Sequence, residues 1–376
     1  MSDKKRVLVI NTGSTTTKVA VYENEDCIIK ETIVIDPELT QKAKNCAAQL
    51  PERRRGIEEW IKNNNVDMSK IDIIAARGGA YGPYEGGAYK VNELMVNYAK
   101  YAPTTVHASS LSCMVGSELS AEYNIPCVIY DGVYTDEMTD IARTSGWPGI
   151  GFNHGSHVLN PRAVARKVAE KQGKKYEEGN YIVAHLGGGI SVTTHMGGKI
   201  VDYADEYVGA MCPERTGMLP TIDVVKMCFS GKYTEAEMYK KISGQGGLVA
   251  YLGTSDGLTI EKMIDSGDEK AKFYHTVMCY HVSKAIAQQA AVLCGKVDAI
   301  IFTGSLARDK YIIPYCRERI GFLGPIEVIP GEMEMEALAA GALRVLNGEE
   351  QAKEFNVLPE GFSTKEEFDA YVNAQQ

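Results

Sequence analysis

A short turn near the N-terminus carries an unusual concentration of hydroxyl side chains. It reads Asn-Thr-Gly-Ser-Thr-Thr-Thr-Lys from Asn11 to Lys18. Small polar residues in a tight turn expose several backbone N–H groups toward one point, and such a concavity suits phosphate. Asn11 can hold a phosphate or a hydrated metal, and Lys18 adds positive charge. Ser14 and Thr16 can donate hydrogen bonds. An ordinary hairpin turn needs no such run of hydroxyls, so the turn predicts a phosphate site.

A second loop of the same kind opens with a histidine. The segment HLGGGIS begins at His185 and contains Gly187, Gly188 and Gly189 in succession. Consecutive glycines cost backbone entropy on folding, and they are useful where a ligand approaches the backbone closely. We therefore expect His185 and the three glycines to bind phosphate, with a plain glycine-rich hairpin as the alternative.

Two arginines lie in loops bounded by glycine or proline. Arg77 follows the apolar segment IDIIAA and precedes two glycines, and Arg215 lies in CPERTGMLP. A guanidinium can grip a carboxylate or a phosphate through two parallel bonds. A single loop arginine is more often a surface charge, but two in constrained loops favour an anionic substrate.

The motifs of several common enzyme classes are missing from the sequence. There is no G-x-x-x-x-G-K-[ST] phosphate loop, no G-x-G-x-x-G dinucleotide fingerprint and no H-E-x-x-H zinc site. One G-x-S-x-G occurs at residues 253–257. A hydrolase needs that serine on a strand-to-helix turn with Asp and His partners, whereas TSDGLT also has the residues of a helix start. The sequence therefore disfavours a hydrolase.

The overall composition narrows the class of protein. A chain of 376 residues with 44% hydrophobic and 24% charged residues is typical of a globular enzyme with two domains. The net charge of -9 argues against nucleic acid or an anionic membrane as a partner. The nine cysteines form no C-x-x-C pair, which predicts reduced thiols. No apolar run approaches the ~20 residues of a membrane helix. Asn11 and Gly13 break the apolar run that follows MSDKKR, so we do not expect a signal peptide there. We expect a cytoplasmic protein.

Glycine-turned hairpins must position the two candidate phosphate loops. RVLVINTGSTTTKVAVYE and NYIVAHLGGGISVTTHMGGKIVD both predict a strand, a tight turn and a second strand. Aligning Gly13 with Gly187 gives an offset of 187 − 13 = 174 residues, at which Asn11 matches His185. This offset is close to half the chain and indicates two related halves.

Other segments predict the strands and helices of an α/β fold. DIIAARGG, PCVIYDG and DAIIFTGS predict buried strands that end in glycine. Asp131 ends the second of these, where ligand sites of α/β folds form. HVLNPRAVARKVAEKQG and FYHTVMCYHVSKAIAQQAAVLCG predict helices, the second largely buried. Capping boxes predict further helix starts at Thr234, Ser266 and Ser363. A Gly/Pro cluster near residue 150 predicts a domain boundary.

The ordered motifs resemble those of the acetate and butyrate kinases, and most of all the butyrate kinases. The N-terminal N-x-G-S-[ST]-[ST]-x-K is followed in order by ARGG, TVHAS, HLGGGIS, PERTG, GGLVAYLGT and PGEMEMEALAAGALRVL. The similarity runs from about residue 6 to residue 350. This family belongs to the actin-like ATPase superfamily, together with sugar kinases and heat-shock ATPases.

The resemblance implies a fold and an assembly. It implies two actin-like (ribonuclease H-like) α/β domains, over residues 1–150 and 151–340, with a nucleotide cleft between them. A C-terminal helical segment from about residue 340 could pack back on the first domain. The resemblance also implies a homo-oligomer, with a short-chain carboxylate and a nucleotide as small-molecule partners.

The implied reaction is transfer of the γ-phosphoryl group of ATP, with Mg²⁺, to butyrate or a branched short-chain acid. The products are ADP and an acyl phosphate, and the in-line transfer is reversible. A carboxylate is already ionised at neutral pH because carboxyl pKa values lie near ~4, so no general base is required. Catalysis must align the reactants and neutralise their charges. In the family motifs Arg77 and Arg215 correspond to the residues that clamp the acyl phosphate.

Two further histidines acquire roles through the resemblance. His157, in HVLNPRAVAR, matches the transition-state histidine of the family, with His154 as the alternative. His107, in TTVHASS, matches the histidine that lines the acyl site. We expect the remaining histidines to be structural, namely His195, His275 and His281.

Metal and nucleotide residues also follow from the resemblance. Glu336, in MEMEALAAG, is implied to hold Mg²⁺ through water, with Glu334 as the alternative. Asn11 is the second implied metal residue. Asp131 is implied to serve the metal or to orient an arginine, and Gly304 to approach adenine or ribose.

Departures from the family pattern bear on the substrate. Butyrate kinases often read G-P-F-[ST]-P-E-R where this chain reads G-A-M-C-P-E-R. Met211 is adaptable in shape, so we expect it to alter the acyl pocket. The chain also reads TGSLA in place of TGG[LI]A, which bears on nucleotide affinity. Chain length stays open because one methylene is worth only ~1–3 kcal/mol of discrimination.

Two other functions are compatible with this superfamily. A sugar or polyol kinase would need a general base for a neutral hydroxyl, and Asp131 could serve. A non-enzymatic actin-like switch would have no use for Arg77, Arg215 and His157 as residues for a second substrate. The site residues therefore favour the acid kinase.

Overall fold

The chain divides into two compact units. The computed structural model describes residues 4–36, 38, 46–102, 108–152 and 157–375. Unit 1 comprises Met1–Asp136 and Met333–Gln376, and unit 2 comprises Glu137–Glu332. The chain thus passes from unit 1 to unit 2 after Asp136. This point lies before the Gly/Pro cluster near residue 150, which predicted a domain boundary. That cluster instead forms the turn of a short hairpin within unit 2, where residues 144–147 pair with residues 150–151.

The strands form one large sheet in each unit and a separate hairpin in unit 2. The described strands are β1 (Arg6–Thr12), β2 (Thr16–Glu23), β3 (Asp26–Val34), β4 (Ile73–Arg77), β5 (Ala88–Lys90), β6 (Cys127–Tyr130), β7 (Thr144–Trp147), β8 (Ile150–Gly151), β9 (Asn180–Leu186), β10 (Ile190–Met196), β11 (Lys199–Ala204), β12 (Ala299–Gly304), β13 (Ile326–Pro330) and β14 (Lys353–Glu354). The sheet of unit 1 has the order β14-β5-β6-β4-β1-β2-β3, and that of unit 2 has the order β11-β10-β9-β12-β13.

Helices cover these sheets. The described α-helices are α1 (Leu50–Asn63), α2 (Glu93–Tyr101), α3 (Leu111–Tyr123), α4 (Asp140–Arg143), α5 (Leu159–Lys171), α6 (Thr221–Cys228), α7 (Glu235–Ile242), α8 (Gly247–Leu252), α9 (Gly257–Asp265), α10 (Glu269–Val292), α11 (Ile312–Ile320), α12 (Glu334–Leu346) and α13 (Lys365–Asn373). Short 3₁₀ helices occur at Cys46–Gln49, Met68–Lys70, Ala108–Ser110, Tyr176–Glu178 and Ser305–Arg308. Among the residues described, no helix combines the length and the apolar character needed to cross a membrane.

The two sheets repeat one arrangement of strands. In unit 1, β3-β2-β1 form an antiparallel meander, and β4 and β6 follow in parallel with β1. In unit 2, β11-β10-β9 form the same meander, followed by β12 and β13. β1 and β9 have the same length and start 180 − 6 = 174 residues apart. Asn11 and His185 therefore occupy the same position in their strands, which confirms the internal repeat.

In unit 1 the side chains of each strand point alternately to the two faces of the sheet, and this separates core residues from site residues. Leu8 and Ile10 belong to the hydrophobic core formed with α1, α2 and α3. Because neighbouring side chains of a strand point to opposite faces, Asn11 points away from that core. Arg77 follows core residue Ala76 in β4 and points the same way. Helix α12 packs on β1 and β4, and it covers the face that carries Asn11 and Arg77.

The same alternation operates in unit 2. Ala184 and Leu186 of β9 lie in the core cluster that includes residues of α10. His185 lies between them in sequence and therefore points to the opposite face. Helix α5 packs on β9 and β12, and it covers this second face. Both units thus place a polar residue near the end of the first strand of the meander, β1 or β9, beneath a helix.

The capping predictions succeed only in part. Helix α7 begins as predicted, with Thr234 as its N-cap. The prediction at Ser266 is wrong, because Asp268 accepts the first backbone N–H groups of α10 and Ser266 follows the end of α9. Near the C-terminus the capping residue is Thr364, one position after Ser363. An Asp or Thr one or two positions further on can serve as the N-cap instead, so the sequence motif alone does not determine the capping residue.

Candidate active site

The N-terminal turn connects β1 and β2 as predicted. Asn11 pairs with Lys18 across the hairpin, and Thr12 pairs with Thr17. Paired residues project from the same face of the sheet. Thr12 and Thr17 are buried, and Thr12 Oγ1 lies 2.8 Å from Ser112 Oγ of α3. These two hydroxyls therefore anchor the hairpin, whereas Asn11 and Lys18 occupy the opposite face.

The tip of this turn carries the more accessible hydroxyls. Ser14 and Thr15 are exposed, and Thr16 is half-buried. The Gly13 N–H donates to the Thr16 carbonyl at 2.8 Å and closes the turn. The predicted phosphate ligands Ser14 and Thr16 thus lie on a tight, hydrogen-bonded loop.

Arg77, Asn11 and Glu334 form a polar cluster in unit 1. Arg77 forms an ion pair with Glu334, which lies in the first turn of α12. Asn11 Nδ2 donates to Glu334 Oε2 at 2.9 Å, and Arg77 Nη1 donates to Asn11 Oδ1 at 3.4 Å. Burial alone would raise the pKa of Glu334, but Arg77, Asn11 and Lys18 lower it by more. Its pKa lies below the ordinary value, and the carboxylate is ionised at neutral pH.

The predicted metal residue Glu336 lies apart from this cluster. Glu336 is exposed on α12, because residues two apart on a helix do not share a face. Glu334, the alternative, is the glutamate that contacts Asn11 and Arg77. The described residues contain no group of three or more His, Cys, Asp or Glu able to hold a metal unaided. Mg²⁺ in phosphoryl-transfer sites needs only one or two carboxylates besides phosphate and water, so Glu334 with Asn11 fits that ion.

Asp131 lies beside the strand that carries Arg77. It follows β6, in which Tyr130 is the register partner of Arg77. Asp131 is buried, its φ is 42°, and its Oδ1 accepts the Gly87 N–H at 2.8 Å. Asp tolerates this left-handed conformation better than most residues. The carboxylate thus holds a neighbouring loop at the strand ends where Arg77 lies.

A histidine pair lies at the corresponding place in unit 2. The rings of His157 and His185 stack with centroids 3.9 Å apart. His157 Nδ1 lies 3.1 Å from Ser191 Oγ. Asn160 Nδ2 lies 3.0 Å from His185 Nδ1 and 3.1 Å from Thr303 Oγ1. Two predicted residues are thus brought together by partners that the sequence did not single out. His107 and His154 lie outside the described residues.

The contact with Asn160 fixes the orientation of the His185 ring. Asn160 Nδ2 lies beside Nδ1 of that ring, and Nε2 points toward the glycine loop. This Nε2 lies 3.5 Å from the position that a Cβ on Gly187 would occupy. His185 therefore directs a ring nitrogen at the glycine loop.

The glycine loop makes room for Arg215. The Gly187 N–H donates to the Gly189 carbonyl at 3.0 Å in the turn from β9 to β10. A Cβ on Gly189 would lie only 1.7 Å from Arg215 Nη1. The same Nη1 lies 3.2 Å from Glu206 Oε1, and Arg215 Nε donates to Ser243 Oγ at 3.4 Å. The structure thus brings the glycine loop and the predicted anion-binding arginine together.

Glu206 is a site residue that the sequence analysis missed. Burial raises the pKa of Glu206, and the attraction to Arg215 opposes this rise. Its Oε2 is buried and accepts no hydrogen bond from the residues that the structure describes. An acidic residue in DYADEY gives no sequence signal of its own, and only its contact with Arg215 identifies it.

Known proteins match this chain over nearly its whole length. The model of the acetokinase family matches residues 149–326. Butyrate kinase 2 of Clostridium acetobutylicum is 44% identical over 354 residues, which are 94% of this chain and 99% of that protein. The chain belongs to the acetokinase family. It is therefore a kinase whose phosphoryl acceptor is a carboxyl group.

Solved structures agree with the fold of this chain. The acetate kinase of Porphyromonas gingivalis superposes with a TM-score of 0.74 at 19% identity, over 91% of this chain and 100% of that one. A propionate kinase from Francisella tularensis superposes with a TM-score of 0.68 at 20% identity, over 90% and 98% of the two chains. At such identities the likeness shows the fold alone, and it confirms the predicted actin-like α/β fold.

Two residues expected to contact ligands also have structural explanations. Gly304 has a φ of 88°, and a Cβ there would lie 2.3 Å from the Leu186 carbonyl oxygen. The close approach of β9 therefore requires glycine, and a contact with adenine stays a prediction. Met211 is 5% exposed and lies in the core of unit 2. Any influence of Met211 on the acyl group would act through packing.

The G-x-S-x-G motif lies at a helix start. Ser255 Oγ donates to Glu214 Oε1 at 2.9 Å. Asp256 is the N-cap of α9 and accepts the Thr259 N–H at 2.9 Å. No strand described by the structure leads into this turn, so the serine lacks the setting of a hydrolase nucleophile.

The histidines expected to be structural have protein partners or lie on a helix. His195 is buried, and its Nδ1 lies 2.8 Å from Tyr176 Oη. His275 is buried, and its Nε2 lies 2.9 Å from Asp309 Oδ2. His281 is half-buried on α10. These positions agree with a structural role.

Proposed function

We propose that the chain transfers the γ-phosphoryl group of ATP, with Mg²⁺, to butyrate or a branched short-chain acid. The products are ADP and an acyl phosphate, and the transfer is direct, in-line and reversible. The match to butyrate kinase 2 over nearly all of both chains carries this proposal. Carboxyl pKa values lie near ~4, so the acceptor is already an anion at neutral pH. The reaction therefore needs alignment and charge neutralisation, and it needs no general base.

Arg77 and Arg215 would neutralise this charge. Arg77 makes both of its side-chain contacts through Nη1, with Asn11 and Glu334. Arg215 uses Nη1 and Nε. Within the described part of the chain, Nη2 of each arginine has no hydrogen-bond partner, and the side chains are 22% and 29% exposed. Each guanidinium can then bind an anion while a carboxylate fixes its orientation.

The histidine pair would donate to the transferring phosphoryl group. With Asn160 donating to its Nδ1, His185 would carry its proton on Nε2, the nitrogen that faces the glycine loop. His157 is held in a parallel plane by stacking and by Ser191. Fixed N–H donors aimed at developing negative charge are among the largest contributions to phosphoryl and acyl transfer.

Metal and phosphate binding would use the hairpin of unit 1 and α12. Mg²⁺ would supply positive charge on the phosphates of ATP. Glu334 would hold it through water, with Asn11 beside it, in place of the exposed Glu336. Ser14, Thr16 and Lys18 would bind phosphate oxygens at the turn, and the loop at Gly187–Gly189 would bind them in unit 2. Asp131 would fix the strand ends beside Arg77.

The proposal also includes a homo-oligomer. Helix α6 has no buried residue. Ile222, Val225 and Phe229 in and after this helix are 68%, 48% and 88% exposed. Grouped exposed apolar side chains are typical of contact surfaces between proteins. Light scattering of the purified chain should give a mass above that of one chain, and the mass of a monomer would contradict this part.

Acyl phosphate formation tests the reaction directly. Purified protein is incubated with ATP, Mg²⁺ and one acid at a time from acetate, propionate, butyrate, isobutyrate and valerate. Hydroxylamine then traps the acyl phosphate as a coloured hydroxamate. We expect the highest kcat/KM with butyrate or isobutyrate. No hydroxamate from any acid, in protein that still binds ATP, would overturn the proposal, and an optimum at acetate would correct the substrate.

A sugar kinase is the alternative within the same superfamily. Its neutral acceptor needs a general base, and Asp131 is the candidate. In the structure one carboxylate oxygen of Asp131 already accepts the Gly87 N–H, which argues against that role. ADP release on addition of hexoses or glycerol, with no hydroxamate from any acid, would favour the sugar kinase.

A further inference from the structure

Arg53 of α1 is buried directly behind the N-terminal turn, and it is 1% exposed. Its Nη1 donates to the Thr16 carbonyl at 2.8 Å and to Thr17 Oγ1 at 2.9 Å. Its Nη2 donates to the Ser14 carbonyl at 3.0 Å and to Gln49 Oε1 at 2.8 Å. Its Nε donates to the same Gln49 oxygen at 3.3 Å. Every N–H group of the guanidinium is therefore used.

All these partners are neutral. No carboxylate of the described residues lies within ion-pair distance of Arg53. Its neighbours in α1 do have carboxylate partners. Arg54 pairs with Glu58 at 2.7 Å, and Arg55 pairs with Glu59 at 3.2 Å. A buried cation normally has an anionic partner. The protein thus keeps one uncompensated positive charge against the turn where we expect phosphate to bind.

Arg53 also fixes the orientation of peptide groups in this turn. In a trans peptide the C=O and N–H groups point in opposite directions. The Ser14 carbonyl points inward to Arg53, so the N–H of Thr15 points outward. Ser14 and Thr15 are exposed at the tip. An outward N–H group beside Lys18 is the arrangement that an anion-binding loop requires.

We propose that Arg53 is a positioning residue for phosphate binding by the turn at residues 13–17. It holds two carbonyl groups inward, and its buried charge adds to the attraction for the anion. This inference rests on the proposed function, because that function supplies the phosphate of ATP as the anion. Arg53 does not touch the ligand and acts through Ser14, Thr16 and Thr17.

The decisive variant is Gln49→Glu. Glutamate has the shape of glutamine and accepts the same bonds from Arg53, but it adds the missing negative charge. We expect Q49E to melt at the same temperature as the natural protein or higher, because the new pair is favourable. We expect its affinity for ATP to fall by about fivefold or more, since the buried charge is then compensated. Adenosine, which lacks phosphate, should bind equally well to both proteins.

Two substitutions of arginine complete the test. Arg53→Gln removes the charge and most of the bonds, and it should lower ATP affinity by about tenfold or more. Arg55→Gln is the matched control, because Arg55 lies two residues later in α1 with 60% of its side chain exposed. It should change neither ATP affinity nor melting. In turnover assays we expect Q49E to raise the KM for ATP and to leave the KM for the carboxylate unchanged.

The outcomes separate this inference from the proposed function. Calorimetric binding of ATP and adenosine to each variant, with the melting temperature, needs no turnover. If Q49E binds ATP as tightly as the natural protein, the buried charge of Arg53 adds nothing to phosphate binding, and that part of the inference is wrong. If a folded R53Q also binds ATP as tightly, Arg53 does not position the turn and the whole inference is wrong. If R53Q does not fold, Q49E still tests the contribution of the charge. If the natural protein binds ATP but forms no acyl phosphate, the proposed function fails while the comparison of ATP affinities still tests Arg53.

Discussion

His157 and His185 lie with their imidazole planes inclined by only 16° and their centroids 3.9 Å apart. One ring precedes α5, and the other occupies the next-to-last position of β9. Ser191 contacts the first ring and Asn160 contacts the second. The two rings are thus held in one stack by elements of a single unit. This arrangement fixes the orientation of both imidazole rings.

Replacement of His157 should slow the chemical step. For His157→Gln we expect kcat to fall by about 10²–10³-fold, the effect of losing one transition-state donor. The KM for ATP should change little, because the phosphate loops stay intact. Single-turnover formation of the hydroxamate measures this step. The control is His281→Gln on α10, which should keep the kcat of the natural protein. Full kcat in H157Q would exclude a contact between His157 and the phosphoryl group.

Glu334 and Glu336 should behave differently although they lie two residues apart. Glu334→Gln removes the ionic partner of Arg77, which should cost about 1–3 kcal/mol of unfolding free energy and weaken the response of the rate to Mg²⁺. Glu336→Gln changes an exposed side chain, so its effect on stability should stay within about 0.5 kcal/mol. Urea unfolding and Mg²⁺ titrations of the rate measure both. A loss of Mg²⁺ response in E336Q alone would restore Glu336 as the metal residue.

Adjacent glycines of the loop should also differ. A Cβ added at Gly189 would meet Arg215 Nη1 at 1.7 Å, whereas one added at Gly188 would meet Glu214 Oε2 at 3.5 Å. The first contact forces the end of a flexible side chain to move, and the second is ordinary packing. We expect Gly189→Ala to lower kcat/KM for the acid by about tenfold or more, as expected when a bidentate anion contact is lost.

The control for Gly189→Ala is Gly188→Ala. It should retain most of the activity, and circular dichroism and melting should show both proteins folded. Equal activity of the two alanine variants would mean that Arg215 is not held against this loop during turnover.

Much of this fold could be predicted because short patterns determine it locally. Alternating β-branched strands and small-residue turns identify both hairpins, and the offset that matches Asn11 with His185 reappears in the sheets. The face on which each polar residue lies follows from the same alternation. The Gly/Pro cluster was a poor predictor of the domain boundary, because glycine and proline favour any turn, including the turn of a hairpin inside a unit.

Other features depend on contacts between distant parts of the chain. Arg53, Asn160 and Glu206 acquire their roles from partners in other elements, and each is an unremarkable residue in its own segment. The different surroundings of Glu334 and Glu336 follow from the position of α12 on β1 and β4. A sequence pattern without tertiary contacts cannot supply such pairings.

His195 should make the stability of the protein depend on pH in the mildly acid range. Burial lowers the pKa of His195 well below its ordinary value of 6.5, and Arg162 and Arg166 lower it further. Hydroxyls of Tyr176 and Thr193 contact its two ring nitrogens, each at 2.8 Å. The unfolded chain takes up a proton as the pH falls below 6.5, and the folded protein does not. His195 therefore contributes stability that is fully present above this pH and is lost as the pH falls toward the lowered pKa. In urea unfolding at successive pH values, His195→Gln should be less stable at neutral pH, but its stability should fall less steeply on acidification. Parallel slopes for the two proteins would show that His195 does not titrate differently on folding.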